Sequence, residues 1–379
     1  MDEITAPHPA LLPAGLRDLL PPDAQTEATS VEAMMGVFAG HGYVRVKPPL
    51  MEFEESLLAG AGAALADQVF RIMDPDSHRM MALRADMTPQ VARIAATRLA
   101  GSPRPLRLSY SGQCIRTRAL RETDRQVAQV GIELIGADTA QADAETMLVA
   151  AEALQALGLT RLSLDLTLPT FAPALLEAAG VSGARQKALA RALDRKDAAA
   201  VAEHGGELAP MLTDLLLAAG PAQVALEALA RAELPAAQRA LAERLGQVVA
   251  LLAAQAPELR LTVDPLEFRG FRYHTGIAMT VFAPGRHEEL GRGGRYLCAD
   301  SEPATGVTLF ADAVLRAAPA PAARATVLVP AGAEMGLGRA LRTQGYATVA
   351  ALGDAAGADE ARRLGCTHVV EGGVVKEVR

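Results

Sequence analysis

The chain has 379 residues, half of them hydrophobic and 21% charged, with a formal net charge of −7 and a pI near 5.6. This composition supports two or three domains with ample core, and it excludes disorder, a collagen-like repeat and a disulfide scaffold. No apolar run approaches the roughly 18 residues of a membrane helix, so no membrane association is expected. Met1-Asp2-Glu3 is acidic and leads into no apolar signal region, and the expected compartment is the bacterial cytoplasm. The three cysteines, Cys114, Cys298 and Cys366, form no close pair, so neither a disulfide nor a zinc site is expected. With four lysines, no tryptophan, five tyrosines and eight phenylalanines, the acidic chain is poorly supplied with base-stacking platforms.

In chain order, a Pro-bounded extended segment from Leu12 to Pro22 leads into a helix expected from Asp23 to about Gly40, with Val31, Met34, Met35 and Phe38 at helical spacing. Tyr43 to Leu50 alternates as a strand, and Pro48-Pro49 place it at an edge or an interface. Gln68 to Met73 and His78 to Leu83 are expected to pair across the turn Asp74-Pro75-Asp76-Ser77. A helix starts at Thr88-Pro89, with Pro in the first turn. Strands follow at Leu106 to Ile115 and Arg125 to Ile135, joined by the arginine-rich loop Arg116 to Asp124. A long helix runs from beyond Asp138 to near Gly158, and Leu162 to Leu166 is a strand. From Phe171 to about Gln255 the periodicity is helical throughout. Strands resume at Leu259 to Val263, Ile277 to Phe282 and Gly306 to Leu309. Ala317 to Ala323 is a linker, and the remainder spells a short βαβαβ unit.

Several polar residues stand out on this framework. Asp86 and Thr88 sit at a strand-to-helix turn, where Asp86 is either a helix cap or a functional carboxylate. Gln129, Gly131 and Glu133 share one strand face, which is either solvated or lines a polar cavity with Arg116 beside it. Arg269, Arg272, Tyr273 and His274 crowd into one short stretch that is either a basic turn or a binding loop. Gly291-Arg292-Gly293-Gly294-Arg295 is neither a Walker loop nor a dinucleotide fingerprint, and taken alone it suggests a tight turn. Carboxylates, an arginine and a tyrosine facing one cavity would suit a zwitterionic amino acid, the carboxylates taking the ammonium and the arginine the carboxylate.

From Leu12 to about Arg316 the sequence resembles the histidyl-tRNA synthetase superfamily of class II aminoacyl-tRNA synthetases. The resemblance rests on Gly15-Leu16-Arg17-Asp18-Leu19-Leu20-Pro21, on Gly42 to Glu52 (similar to the dimer motif), and on Leu83-Arg84-Ala85-Asp86-Met87-Thr88. It extends through Ser111 to Arg116 and the next strand (motif 2), Arg269 to Gly276 (the histidine signature) and Gly293-Gly294-Arg295-Tyr296. It implies an α+β fold with an antiparallel sheet flanked by helices in residues 1–320, a helical insertion at about 171–257, and a small C-terminal α/β domain at 325–379. It also implies a histidine pocket made of Asp86, Thr88, Arg116, Gln129, Glu133, Arg269, Tyr273 and His274, with no metal and no cofactor.

The departures fall on the residues that hold ATP in the synthetases. Arg118 stands for a glutamate, Val127 for an adenine-stacking phenylalanine, Phe310 for a glycine and Ala313 for the ATP-binding arginine, with Arg316 three residues too late. The segment 325–379, with six basic and six acidic residues, is short beside the synthetases' anticodon-binding domain and has no electrostatic excess for tRNA. The pattern, including Arg-Gly-aromatic-x-Tyr-His-Thr-Gly at 269–276, is similar to the regulatory subunits of ATP phosphoribosyltransferase. That resemblance implies a non-catalytic protein of histidine biosynthesis that dimerises, joins a short-form catalytic subunit in a hetero-octamer and confers activation and histidine feedback inhibition. The alternatives are a divergent histidyl-tRNA synthetase, or a stand-alone paralog that binds or adenylates histidine.

Overall fold

The computed structural model describes residues 11–117, 125–268, 270, 273–320, 322–353 and 357–378. The chain divides into two compact units, 1–319 and 320–379. The first is built on a nine-stranded, mainly antiparallel sheet. Its central hairpin, Leu106–Ile115 and Gln126–Ile135, is followed across the sheet by Pro303–Phe310, Glu289–Leu297 and His274–Phe282. Ser163–Thr167, Arg260–Asp264 and Gly220–Pro221 complete that side, and Val44–Arg45 lies at the opposite edge.

Alternation along the strands gives the sheet two unlike faces. On one, Val130, Ile132, Val307, Leu309, Ile277 and Met279 are buried in the main hydrophobic cluster, packed with the helices Asp23–Gly40 and Ala140–Gln155 and with the insertion. Each such side chain contributes about 1.5–3 kcal/mol of burial before conformational entropy is subtracted. The other face carries Gln129, Gly131 and Glu133 and, across the register, Gly306 and Thr308. A smaller three-stranded sheet, Met51–Phe53, Met80–Leu83 and Arg71–Met73, leads through the turn at Asp86 into the helix Thr88–Ala96.

The structure departs from the sequence-based expectations at four points. The strand expected over Tyr43 to Leu50 is only Val44–Arg45; Pro48 and Pro49 supply no N–H to a ladder, and pairing resumes at Met51 in the smaller sheet. The glycine-rich stretch is no tight turn but part of the sheet strand Glu289–Leu297. Its glycines are required by close backbone approach: a Cβ on Gly293 would lie 2.1 Å from the Gly306 carbonyl oxygen, and Gly294 has φ +151°. Helices fill most of 171–255, but Gly220–Pro221 pairs with Thr262 and Val263. In the second unit the strand order is Ala347–Ala350, Thr326–Val329, His368–Glu371 and then Val374–Glu377, an antiparallel strand that the βαβαβ pattern did not contain.

One buried ion network ties the first unit together. Asp143, on the helix Ala140–Gln155, accepts from Arg295 Nε at 2.9 Å through one carboxylate oxygen and from Arg244 Nε at 2.8 Å through the other. Arg295 comes from the sheet and Arg244 from the insertion helix Ala236–Gln255. Thr139 caps the helix by accepting from the Ala142 N–H, and its carbonyl accepts from Arg295. Asp143→Ala would remove the buried carboxylate the two arginines share and leave them Asp138 and backbone carbonyls, so it is expected to destabilise the chain by about 3 kcal/mol. Chemical denaturation of variant and wild type reads this directly, and a loss under about 1 kcal/mol would contradict it.

Candidate functional site

The polar face of the sheet ends in a cavity of about 240 Å³, roofed by the turn at Asp86 and by the start of the strand His274–Phe282. At its base is Glu133, whose side chain is almost wholly buried. Glu133 Oε1 accepts from Thr88 Oγ1 at 2.8 Å and from the Tyr110 hydroxyl at 3.2 Å, and Oε2 accepts from the Tyr296 hydroxyl at 2.9 Å. Tyr110 is itself 2.7 Å from Thr308 Oγ1. The Glu133 carboxylate leans over Gly306, where a Cβ would sit 1.8 Å from Oε2. Gly294 is the register partner of Gly306, so two adjacent glycines leave the floor of the sheet bare beside the carboxylate.

Burial pushes the Glu133 carboxyl up to about 7, opposed by the Thr88 and Tyr296 hydroxyls and reinforced by the Asp86 charge. The Tyr110 and Tyr296 hydroxyls are raised well above the ordinary range, first by burial and then by Glu133, so both stay protonated donors. Across the cavity, burial and then Arg292 press His274 down to about 3, so its ring is neutral. Tyr273 stacks on His274 at 4.5 Å and meets Tyr296 edge to face at 6.0 Å. Arg292 forms hydrogen bonds with the Glu289 carboxylate and donates to the Gly270 carbonyl at 3.3 Å.

The other expected residues divide clearly. Asp86 Oδ1 accepts from the Thr88 N–H at 3.0 Å and Oδ2 lies 3.7 Å from Arg116 Nη2, so Asp86 both caps the turn and faces the cavity. Arg116 donates to the Ala85 carbonyl at 2.9 Å. Asp86, Thr88, Arg116, Glu133, Tyr273 and His274 all line the cavity. Gln129 does not: fully buried, it accepts from the Met87 N–H at 3.0 Å and from Cys114 Sγ, and its Nε2 has no hydrogen-bond partner among the described residues. Arg269, Arg272 and Arg118 lie outside the described residues. Sequence reasoning passed over Tyr110, Thr308 and Arg292, and gave no role to Tyr296; the only local signal was that Tyr110 alternates with Gly112 and Cys114. Among the described residues no three metal-binding side chains cluster, and no helix is long and apolar enough to cross a membrane.

A sheet with helices on one face and, on the other, a small polar cavity reached by a strand–turn–helix is the arrangement of the histidyl-tRNA synthetase-like class II fold. The sequence model of the histidyl-tRNA synthetase family matches residues 15–314. The fold is similar to a solved ATP phosphoribosyltransferase regulatory subunit/histidyl-tRNA synthetase of Bacillus halodurans C, with a TM-score of 0.83, 24% identity and coverage of 97% of this chain and 99% of that one. It is also similar to the histidyl-tRNA synthetase of Nostoc sp. PCC 7120, with a TM-score of 0.76, 17% identity and coverage of 95% and 91%. ATP phosphoribosyltransferase regulatory subunits of Paramagnetospirillum magneticum and Gluconobacter oxydans are 55% and 53% identical, over 95% and 98% of both chains respectively. The chain belongs to the ATP phosphoribosyltransferase regulatory subunit family.

The raised carboxyl of Glu133 has a consequence for stability. Its folded value of about 7 exceeds the ordinary 4.5, so its contribution to stability is present below 4.5 and is lost as pH rises through 7. His274, depressed to about 3, contributes in the opposite sense: its stabilisation is present above its ordinary value of 6.5 and is lost as pH falls toward 3. The Glu133 effect is therefore isolated as a difference between variant and wild type. The stability of Glu133→Gln relative to wild type is expected to rise by about 3 kcal/mol between pH 5 and pH 8. Urea denaturation at the two pH values measures it, and a pH-independent difference would refute it.

Proposed function

We propose that the chain is the regulatory subunit of a short-form ATP phosphoribosyltransferase, that it catalyses no reaction by itself, and that its cavity senses L-histidine, the end product of the pathway. The observation that carries this reading lies at the nucleotide end of the site. Phe310 lines the cavity where the resembling synthetases have a glycine, and the fully buried Ala313 stands where they have an arginine on ATP. A desolvated Arg–phosphate contact of that kind contributes a few kcal/mol to transition-state stabilisation, and Ala313 supplies none of it. The amino-acid end keeps its polar groups.

In this reading the ligand imidazole donates an N–H to Glu133 above the bare glycines, with Thr88, Tyr110 and Tyr296 holding the carboxylate in place. Asp86 takes the ammonium, Arg269 the carboxylate, and Tyr273 and His274 close the ring side. Regulation follows if the complex with the catalytic subunit has two states that bind histidine unequally; whatever favours the active state then weakens histidine. The protein acts in the cytoplasm, binds no tRNA, and pairs with itself through the region 42–52, where Val44 and Leu50 are exposed.

Two experiments bear on this. The purified chain is expected to give no histidine-dependent exchange of pyrophosphate into ATP, and sustained exchange above background would make it a synthetase instead. Glu133→Ala strands the Tyr110, Tyr296 and Thr88 hydroxyls. It is expected to weaken calorimetric histidine binding by about 2–4 kcal/mol and to raise the histidine concentration that inhibits the complex, with assembly intact. Unchanged affinity and unchanged inhibition would move the sensor out of this cavity.

A further inference from the structure

The helical insertion carries a charged surface that the cavity does not use. In the helix Gly183–Asp194 the buried side is Leu189, Ala192 and Leu193. On the opposite side Lys187, Arg191 and, at the C-cap, Arg195 follow one another at intervals of four residues, and all three are exposed. Side chains four apart on a helix are neighbours, so the three charges form one stripe about 12 Å long. None of the three has a hydrogen-bond or ion-pair partner among the described residues. The surrounding charges are engaged: Arg185 donates to the His204 carbonyl, Lys196 pairs with Asp264 and Glu267, Asp197 caps the next helix, and Asp194 has an interaction of its own.

Like charges at this spacing repel one another, whereas helix charges elsewhere in the chain pair with opposite ones, as Asp312 does with Arg316 and Asp359 with Arg362. An uncompensated stripe on a chain of net charge −7 is a place for an external anion. We propose that Lys187, Arg191 and Arg195 form the docking surface for an acidic face of a protein partner. Building on the function proposed above, that partner is the catalytic subunit. A nucleic acid fits less well. The segment 171–255 contains one aromatic residue, Phe171, which is fully buried, so it has no stacking platform. Exposed Glu177, Glu203 and Glu207 in the same helical region interrupt any extended positive field for a long polyanion, whereas a compact acidic patch needs only the stripe.

The test uses the full chain and a purified short-form catalytic subunit, with association followed by surface plasmon resonance between about 50 and about 300 mM salt. The triple variant Lys187→Glu, Arg191→Glu, Arg195→Glu is expected to slow association at least about tenfold at the lower salt. The neutral triple Lys187→Gln, Arg191→Gln, Arg195→Gln should fall between and lose most of the salt dependence. Histidine binding, measured by calorimetry, should be unchanged in both, which also checks their folding. Unchanged association rate and salt slope in both variants would overturn the proposal. So would binding of a fluorescent oligonucleotide by the wild type that the charge-reversed variant loses, since the stripe would then be a nucleic-acid surface. A wild-type chain that never associates with the catalytic subunit overturns the proposed function itself, a result distinct from a complex that forms and ignores the stripe.

Discussion

The site depends on a buried carboxylate that is held by three hydroxyls. Glu133 is buried at the base of the cavity, and Thr88, Tyr110 and Tyr296 supply much of what its hydration shell would. These three come from the helix after the Asp86 turn, the central hairpin and the strand Glu289–Leu297. Satisfying one buried charge thus fixes the relative position of three elements at once. The same constraint explains the glycines: any side chain at Gly306 would occupy the place of the carboxylate, and one at Gly131 would meet the Tyr110 ring. Large tyrosines and absent side chains are two halves of one packing solution.

In the function proposed above, a carboxyl raised to about 7 serves as a selective group. A fully solvated glutamate would be ionised at every physiological pH and would attract any cation; one raised to about 7 by burial is ionised at modest cost when a good donor arrives. The neutral ring of His274 opposite adds no competing positive charge. In that reading a ligand that presents an N–H donor is preferred over one that presents only hydrocarbon, which would shield the carboxylate from water without adding a donor to the three hydroxyls.

Much of this was legible in the sequence, and the boundary of legibility has physical causes. Alternation put Gln129, Gly131 and Glu133 on one strand face, and the structure keeps them there. The turn at Asp86 and Thr88 was readable because strand, turn and helix signals are local. Depth was not readable: period two assigns a face but cannot say that Glu133 reaches a cavity while Gln129 remains below it, holding a backbone N–H. Tyr110 and Tyr296 are far apart in sequence from the carboxylate they hold, and nothing local marks a tyrosine as a donor. The Gly291 to Gly294 stretch looked like a turn because glycine is the commonest turn signal, whereas the reason for it here is the closeness of a neighbouring strand, which is a tertiary fact. Pro48 and Pro49 carried their message plainly: Val44–Arg45 is an edge strand, and the two prolines also cut it short.

The Arg295–Asp143–Arg244 network bears on the modularity of the fold. Insertions between two strands of a sheet are often treated as removable decorations that a shorter relative could lack. Here the insertion reaches back and shares a nearly inaccessible carboxylate with the sheet, on the face opposite the cavity and one residue from Tyr296. Cutting out 171–255 would remove Arg244 and leave Asp143 with half its compensation directly behind the cavity wall. The helices between Phe171 and Gln255 are therefore a structural member of the first unit, and a minimal version of this protein cannot be made by joining the strand Ser163–Thr167 to Arg260–Asp264 with a short loop.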